Sequence, residues 1–147
     1  LTVGIFPLPR RTAGMEQDSA TLVAAAREAL SNAYVPYSEY RVGAAILTGE
    51  GDVYTGANLE NANYSNSLHA EEVAFARAWM DGAREFVGIA VSSSERDGVT
   101  PCGMCRQTLI ERCPAEMPVY CDKGKQTTTY VLDELIPETI SRDTLGK

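Results

Sequence analysis

The chain has 147 residues, 44% hydrophobic and 7% aromatic, enough for one domain that buries a sizeable core without staples. Its formal net charge of −7 and pI near 4.7 argue against polymeric nucleic acid as a partner, because phosphate binding is driven by stripes of Lys and Arg that this composition lacks. No apolar run approaches the length of a bilayer span, so no membrane partner is expected.

Residues 1–14 carry Ile5-Phe6-Pro7-Leu8-Pro9 and then Arg10-Arg11, with two prolines and no helical period. A signal peptide places its basic residues first, so this order does not read as one. Met15 is a natural start. Residues 1–14 therefore read as a flexible extension or a start-site artefact without chemistry, and 15–147 as the catalytic domain.

Asp18 or Ser19 can cap a first helix running to about Asn32, with Leu22, Ala26, Ala29, Leu30 and Ala33 on one face. Val35-Pro36-Tyr37-Ser38 breaks it. The apolar run 41–47 suits a buried strand, Thr48-Gly49-Glu50-Gly51-Asp52 is turn chemistry, and 53–58 returns as the second strand of a hairpin. An Asn-rich loop fills 59–67. A helix is expected over 69–81, packed through Ala70, Val73, Ala74 and Ala78 and stopped by Gly82. A central strand at 86–92 and a polar loop lead to a third helix at 103–112, ended by Pro114. Strands at 119–122 and 127–132, then a short helix from 133 to 136, complete the pattern. Strands alternating with helices predict a layered α/β domain of about five strands.

The single histidine, His69, opens the second helix and is followed by Glu71 and Glu72; Cys102 and Cys105 open the third. One imidazole and two thiolates are zinc ligands, one short of the four that close a structural site, which leaves a position for water. Unpaired N–H groups and the dipole at a helix start favour thiolates. Two thiolates and a neutral imidazole cancel the charge of Zn2+, and such a centre can lower the pKa of a bound water while a carboxylate takes its proton. Residues two apart on a helix point about 200° from one another, so His69 and Glu71 serve one site only if His69 sits at the extreme tip. Glu72 rivals Glu71 for the carboxylate role; spacing alone leaves both open, with a modest edge to Glu71. Cys113 and Cys121 have no metal-like spacing and read as buried, reduced thiols, which suits a cytoplasmic location.

His-x-Glu followed by Pro-Cys-x-x-Cys is the signature of zinc nucleobase deaminases. With it stand Pro36-Tyr37-Ser38, Val42-Gly43-Ala44-Ala45, Gly56-Ala57-Asn58-Leu59-Glu60-Asn61-Ala62, Pro101-Cys102-Gly103-Met104-Cys105-Arg106-Gln107 and Leu135-Ile136-Pro137. In order and spacing these resemble the cytidine deaminase family over about residues 20–140. The resemblance implies a three-layer α/β/α fold with a five-stranded mixed sheet. It also implies one Zn2+ per chain, held by His69, Cys102 and Cys105, with Glu71 as the proton shuttle. It implies that Asn58 and Glu60 bind the ribose hydroxyl, that Tyr40 packs on the base, and that Ala70 belongs to the substrate site. Ala62 and Tyr64 lie in the loop that family members share with a neighbouring subunit's pocket, so a homotetramer is implied. The reaction implied is hydrolysis of cytidine and 2′-deoxycytidine to uridine and 2′-deoxyuridine with release of ammonia, in pyrimidine salvage. A carboxylate at Glu60 would repel phosphate, which favours a free nucleoside.

Three departures stand out. Many small cytidine deaminases carry cysteine where His69 stands and arginine where Glu72 stands; losing the extra thiolate removes the need for the cation. Tyr40 replaces the more usual phenylalanine, a small change if its hydroxyl reaches water. Ile140 stands near the position of a C-terminal aromatic that closes the pocket. Other readings remain open: a deaminase of another base or of a modified or antibiotic nucleoside, and a catalytically idle scaffold. A structural zinc module would recruit Cys113 or Cys121. A Cys-x-x-Cys thiol–disulfide oxidoreductase would leave His69 and Glu71 without work.

Overall fold

The computed structural model describes residues 6–7 and 15–147, with side chains from Ser19 onward. In chain order the elements are β1 (Phe6–Pro7), α1 (Met15–Ala29), β2 (Val42–Thr48), β3 (Asp52–Ala57), α2 (Ala70–Met80), β4 (Phe86–Ser93), α3 (Gly103–Arg112), β5 (Pro118–Asp122) and β6 (Thr127–Val131). Short 3-10 turns follow at Leu30–Asn32, Tyr64–Asn66 and Leu132–Leu135. Of the extension expected over 1–14, only Phe6–Pro7 is described, antiparallel to Val53 and Asp52; the remainder lies outside the described residues.

The sheet order is β1-β3-β2-β4-β5-β6. β4 and β5, joined by the crossover through α3, run parallel, and the other described pairs are antiparallel. The sheet is therefore mixed: the five strands expected, with β1 as a two-residue addition at one edge. The reason β2 reads as an unbroken apolar run is visible in its burial, since both of its faces are covered. Ala44 and Ile46 join a core with Ala74, Phe75 and Leu109 under α2 and α3. Ala45 and Leu47, pointing the other way, join Leu22, Val23 and Ala26 of α1. The three layers follow from that alternation.

Helix boundaries differ from expectation at one end. α1 starts at Met15, so Asp18 and Ser19 lie inside it rather than capping it. The expected 133–136 helix is the 3-10 turn Leu132–Leu135. Gly82, at φ +98°, ends α2 as its backbone freedom allows. No helix among the described residues is long and apolar enough to cross a membrane.

Candidate active site

Two glycines let helices press directly on the sheet. A Cβ on Gly56 of β3 would lie 2.2 Å from the Ala70 carbonyl and one on Gly43 of β2 would lie 2.1 Å from that of Ala26. Gly56 thus sets the depth of the first turn of α2. The loop leading into it is clamped by Leu68 N–H to the Leu59 carbonyl at 2.8 Å and Leu59 N–H to the Leu68 carbonyl at 3.0 Å. His69 is the N-cap of α2, with extended backbone at φ −89° and ψ 150°. It therefore sits at the helix tip, which removes the angular conflict between residues 69 and 71. Cys102 is likewise the N-cap of α3, and Cys105 lies buried in that helix's first turn.

The two helix starts meet. His69 Nδ1 is 3.2 Å from Cys102 Sγ and 3.3 Å from Cys105 Sγ. The three donor atoms lie within 4.8 Å of one another, the only such group of His, Cys, Asp or Glu among the described residues. Two sulfurs and one imidazole nitrogen converging on one point fit Zn2+, and no further residue of these types joins them, so the set is that of an open site. Cys113 and Cys121, the candidates for a fourth ligand, are buried in the core instead, and all four cysteines are free. Burial pushes the Cys113 thiol up to about 12 and that of Cys121 up to about 11, as expected of inert core thiols.

Glu71 and Glu72 part company here. Glu71 is only 5% exposed, and its Oε2 lies 3.6 Å from Cys105 Sγ. Burial raises the pKa of its carboxyl, against the opposing pull of its own backbone N–H, Cys105 and His69. Glu72 turns back and accepts the His69 backbone N–H at 3.3 Å. One carboxylate is part of the site; the other caps the helix that carries it. A glutamate three residues after the N-cap is the spacing of the returning half of a capping box, a signal that the sequence offered only in part because His69 stands where that motif has Ser or Thr.

A cleft of about 400 Å3 opens beside His69, between Tyr37, Ser38, Asn58, Glu60, Tyr64 and Leu68. Asn58 bridges a neighbouring segment: its Oδ1 accepts the Val42 N–H and its Nδ2 donates to the Tyr40 carbonyl, both at 2.9 Å. Glu60 accepts the Tyr37 N–H at 2.9 Å, the Ser38 N–H at 3.2 Å and the Ser38 hydroxyl. The Ser38 hydroxyl, followed by those backbone donors, holds its carboxyl below the usual range. Tyr40 does not line the cleft, and its hydroxyl donates to Asp97 at 2.7 Å instead of depending on water. Tyr64 is 72% exposed with its ring edge-on to Tyr37, and Ala62 is exposed beside it. Ala70 is fully buried against Gly56. The C-terminal tail reaches α3 through Gln107 Nε2, which donates to the Ile140 carbonyl at 3.0 Å. Sequence reasoning did not single out Arg106, Asp97 or Asp122, whose partners are set by tertiary contact.

Residues 15–121 match the cytidine and deoxycytidylate deaminase zinc-binding region. The chain is 46% identical to a cytidine deaminase of Halalkalibacterium halodurans over 88% of this chain and 98% of that protein. It is 42% identical to one of Sporosarcina psychrophila over 88% and 96%. The crystal structure of cytidine deaminase from Burkholderia pseudomallei superposes with a TM-score of 0.78 at 35% identity, over 82% of this chain and 98% of that one. With the donor set, the buried carboxylate and the layered sheet already in place, these likenesses leave one conclusion: the chain belongs to the cytidine and deoxycytidylate deaminase family.

Proposed function

We propose that the protein is a zinc-dependent hydrolase that deaminates cytidine and 2′-deoxycytidine to the corresponding uridines and releases ammonia. The observation that carries this reading is the convergence of His69 Nδ1 and the Cys102 and Cys105 sulfurs beside a buried Glu71. His69, Cys102 and Cys105 hold the ion, which when bound polarises a water and lowers its pKa toward neutrality. Glu71 moves the protons: it takes one from the attacking water, delivers it to the ring nitrogen of the base, and assists the departing amine. Burial raises its pKa, which makes the carboxylate a stronger proton acceptor than an exposed one.

Asn58 and Glu60 bind the sugar. Each is already anchored to the backbone of residues 37–42, which presents the remaining amide N–H and carboxylate lone pairs in a fixed orientation. Glu60 also disfavours a phosphate, which selects a nucleoside over a nucleotide. Tyr40, held by Asp97 outside the cleft lining, acts through its carbonyl, which anchors Asn58, and Ala70, buried against Gly56, sets the position of the turn that carries His69 and Glu71. Ala62 and Tyr64 reach a neighbouring subunit's pocket in a homotetramer. Supporting this, Tyr64 (72% exposed), Tyr37 (47%) and Leu68 (48%) put apolar side chains around the cleft, a patch that association would cover. The four reduced cysteines suit the cytoplasm.

The test is incubation of zinc-loaded protein with cytidine, following ultraviolet absorbance and ammonia together, with Glu71→Gln as control. Turnover by the parent alone is expected. No turnover by a parent that carries one zinc per chain would exclude cytidine as the substrate.

A further inference from the structure

The connection between β4 and α3 brings Cys102 to the site without help from regular structure. Pro101, immediately before it, is buried and has no N–H, so its carbonyl is the one backbone hydrogen-bonding group by which that residue can be held. Arg106 takes it. Its Nε–H donates to the Pro101 carbonyl at 2.6 Å, Nη1–H to the Leu135 carbonyl at 2.7 Å and Nη2–H to Thr100 Oγ1 at 3.1 Å. The backbone N–H of the same residue donates to the Cys102 carbonyl at 2.9 Å. One residue therefore grips the chain on both sides of Cys102 while being the direct neighbour of Cys105.

The Leu135 carbonyl supplies the brace. Leu135 ends the turn Leu132–Leu135, which is itself pinned by Leu132 N–H to the Met117 carbonyl and Asp133 N–H to the Ala115 carbonyl, both at 3.0 Å. Leu132 is fully buried. Three acceptors on separate edges of one planar guanidinium match its fork; a lysine ammonium offers its donors from a single point and cannot span them.

We propose that Arg106 is a positioning residue of the zinc centre: acting through Cys102, it fixes the spacing of the two sulfurs, with the Leu132–Leu135 turn as its anchor. The proposal rests on the zinc-deaminase reading. It makes a C-terminal segment that supplies no ligand part of the metal centre's support. Partners of this outer kind typically change metal affinity by about 10- to 100-fold when lost.

The experiment compares the parent with Arg106→Lys, Thr100→Val and Arg27→Lys. Zinc affinity is read by competition with a chromogenic chelator, coordination by the sulfur-to-cobalt and ligand-field bands of the cobalt-substituted protein, and stability by urea. Arg106→Lys keeps the charge, yet zinc affinity is expected to fall by about 10- to 100-fold with displaced cobalt bands. Thr100→Val, losing one contact of three, moves both in the same direction by a smaller factor. Arg27→Lys weakens a partly buried ion pair between α1 and β5, lowering the urea midpoint with zinc affinity and cobalt bands unchanged. Unchanged affinity and bands in Arg106→Lys, or a loss no greater than in Arg27→Lys, overturn the proposal and leave the deaminase reading intact. Should Arg106→Lys not fold, Thr100→Val decides by the same criterion. A parent that binds no zinc overturns both.

Discussion

Asp122 and Glu71 are the buried carboxylates of the described residues, and the fold surrounds them in opposite ways. Asp122, at the end of β5, accepts Nε–H and Nη2–H of Arg27 at 2.7 Å each, the Ser92 hydroxyl at 2.7 Å and the Gly124 N–H at 2.8 Å. Burial pushes its pKa up, but these donors, Arg27 first, outweigh it and hold the group at about 2. Glu71 has its own backbone N–H and the Cys105 sulfur, and there burial prevails and the pKa rises. The same chemical group is thus held as an anion stapling α1, β4 and β5, or is pushed toward its neutral form, as the proton carrier proposed for Glu71 requires. The number of donors decides which, since an unpaired buried charge is far more costly than a neutral carboxyl.

The contrast breaks if either residue behaves like the other. Glu71→Gln keeps shape and removes proton exchange; kcat is expected to fall by about a thousandfold or more, with the urea midpoint and zinc content at parental values. Stopped or steady-state assays with cytidine, alongside metal analysis, check it. Arg27→Met strands the Asp122 charge with Ser92, Gly124 and a more distant Arg96 at 3.8 Å. It should cost about 3 kcal/mol in urea unfolding while kcat per folded molecule stays unchanged. A Glu71→Gln protein that unfolds, or an Arg27→Met protein that is folded but inactive, would erase the distinction.

Gly43 and Gly56 sharpen it on the two faces of one hairpin. An added methyl meets a helix carbonyl at 2.1 Å in the first case and 2.2 Å in the second, so alanine at either must push a helix off the sheet, at up to about 3 kcal/mol. The steric insult is matched; the consequences are not. Gly56→Ala displaces the turn that carries His69 and Glu71, so zinc affinity and kcat should fall together with stability. Gly43→Ala displaces α1, and the folded fraction should keep both. Unfolding curves, metal content and turnover on the same samples separate the two.

What could be read from the sequence was what local chemistry determines. Gly82 and Pro114 mark helix ends, the 41–47 run marks a strand covered on both faces, and His69, Cys102 and Cys105 declare themselves by ligand type at helix starts. The zinc donors were legible because the chain has one histidine and one closely spaced cysteine pair. Asp122 was not: Arg27 lies 95 positions away, and nothing local distinguishes a strand-end aspartate that will be buried from one that will be solvated. Arg106 sat in plain view inside a motif, but its role depends on Leu135, 29 positions on. Asn58 and Glu60 were legible as types and not as geometry, since their bonds to residues 37–42 depend on the path of two loops. Asp18 and Ser19 misled because acidic and hydroxyl residues suit the first turn of a helix as well as its cap.

The smallest of these effects is the most direct reading of the Asp122 staple. In an unfolded chain an aspartate titrates near about 3.9, whereas the folded protein holds Asp122 at about 2. Above about pH 5 the group is ionised in both states and its contribution, about 2 to 3 kcal/mol, is fully present. As pH falls from there toward 2 the unfolded chain takes up its proton first, so stability declines across that window; below it the contribution is gone. Urea midpoints measured between pH 5 and 2 should show this acid limb in the parent, and a shallower one in Asp122→Asn, which starts from lower stability because an amide cannot satisfy Arg27. Parallel limbs in the two proteins would mean that the network around Asp122 holds no more charge than an exposed aspartate does, and the contrast with Glu71 would then rest on geometry alone.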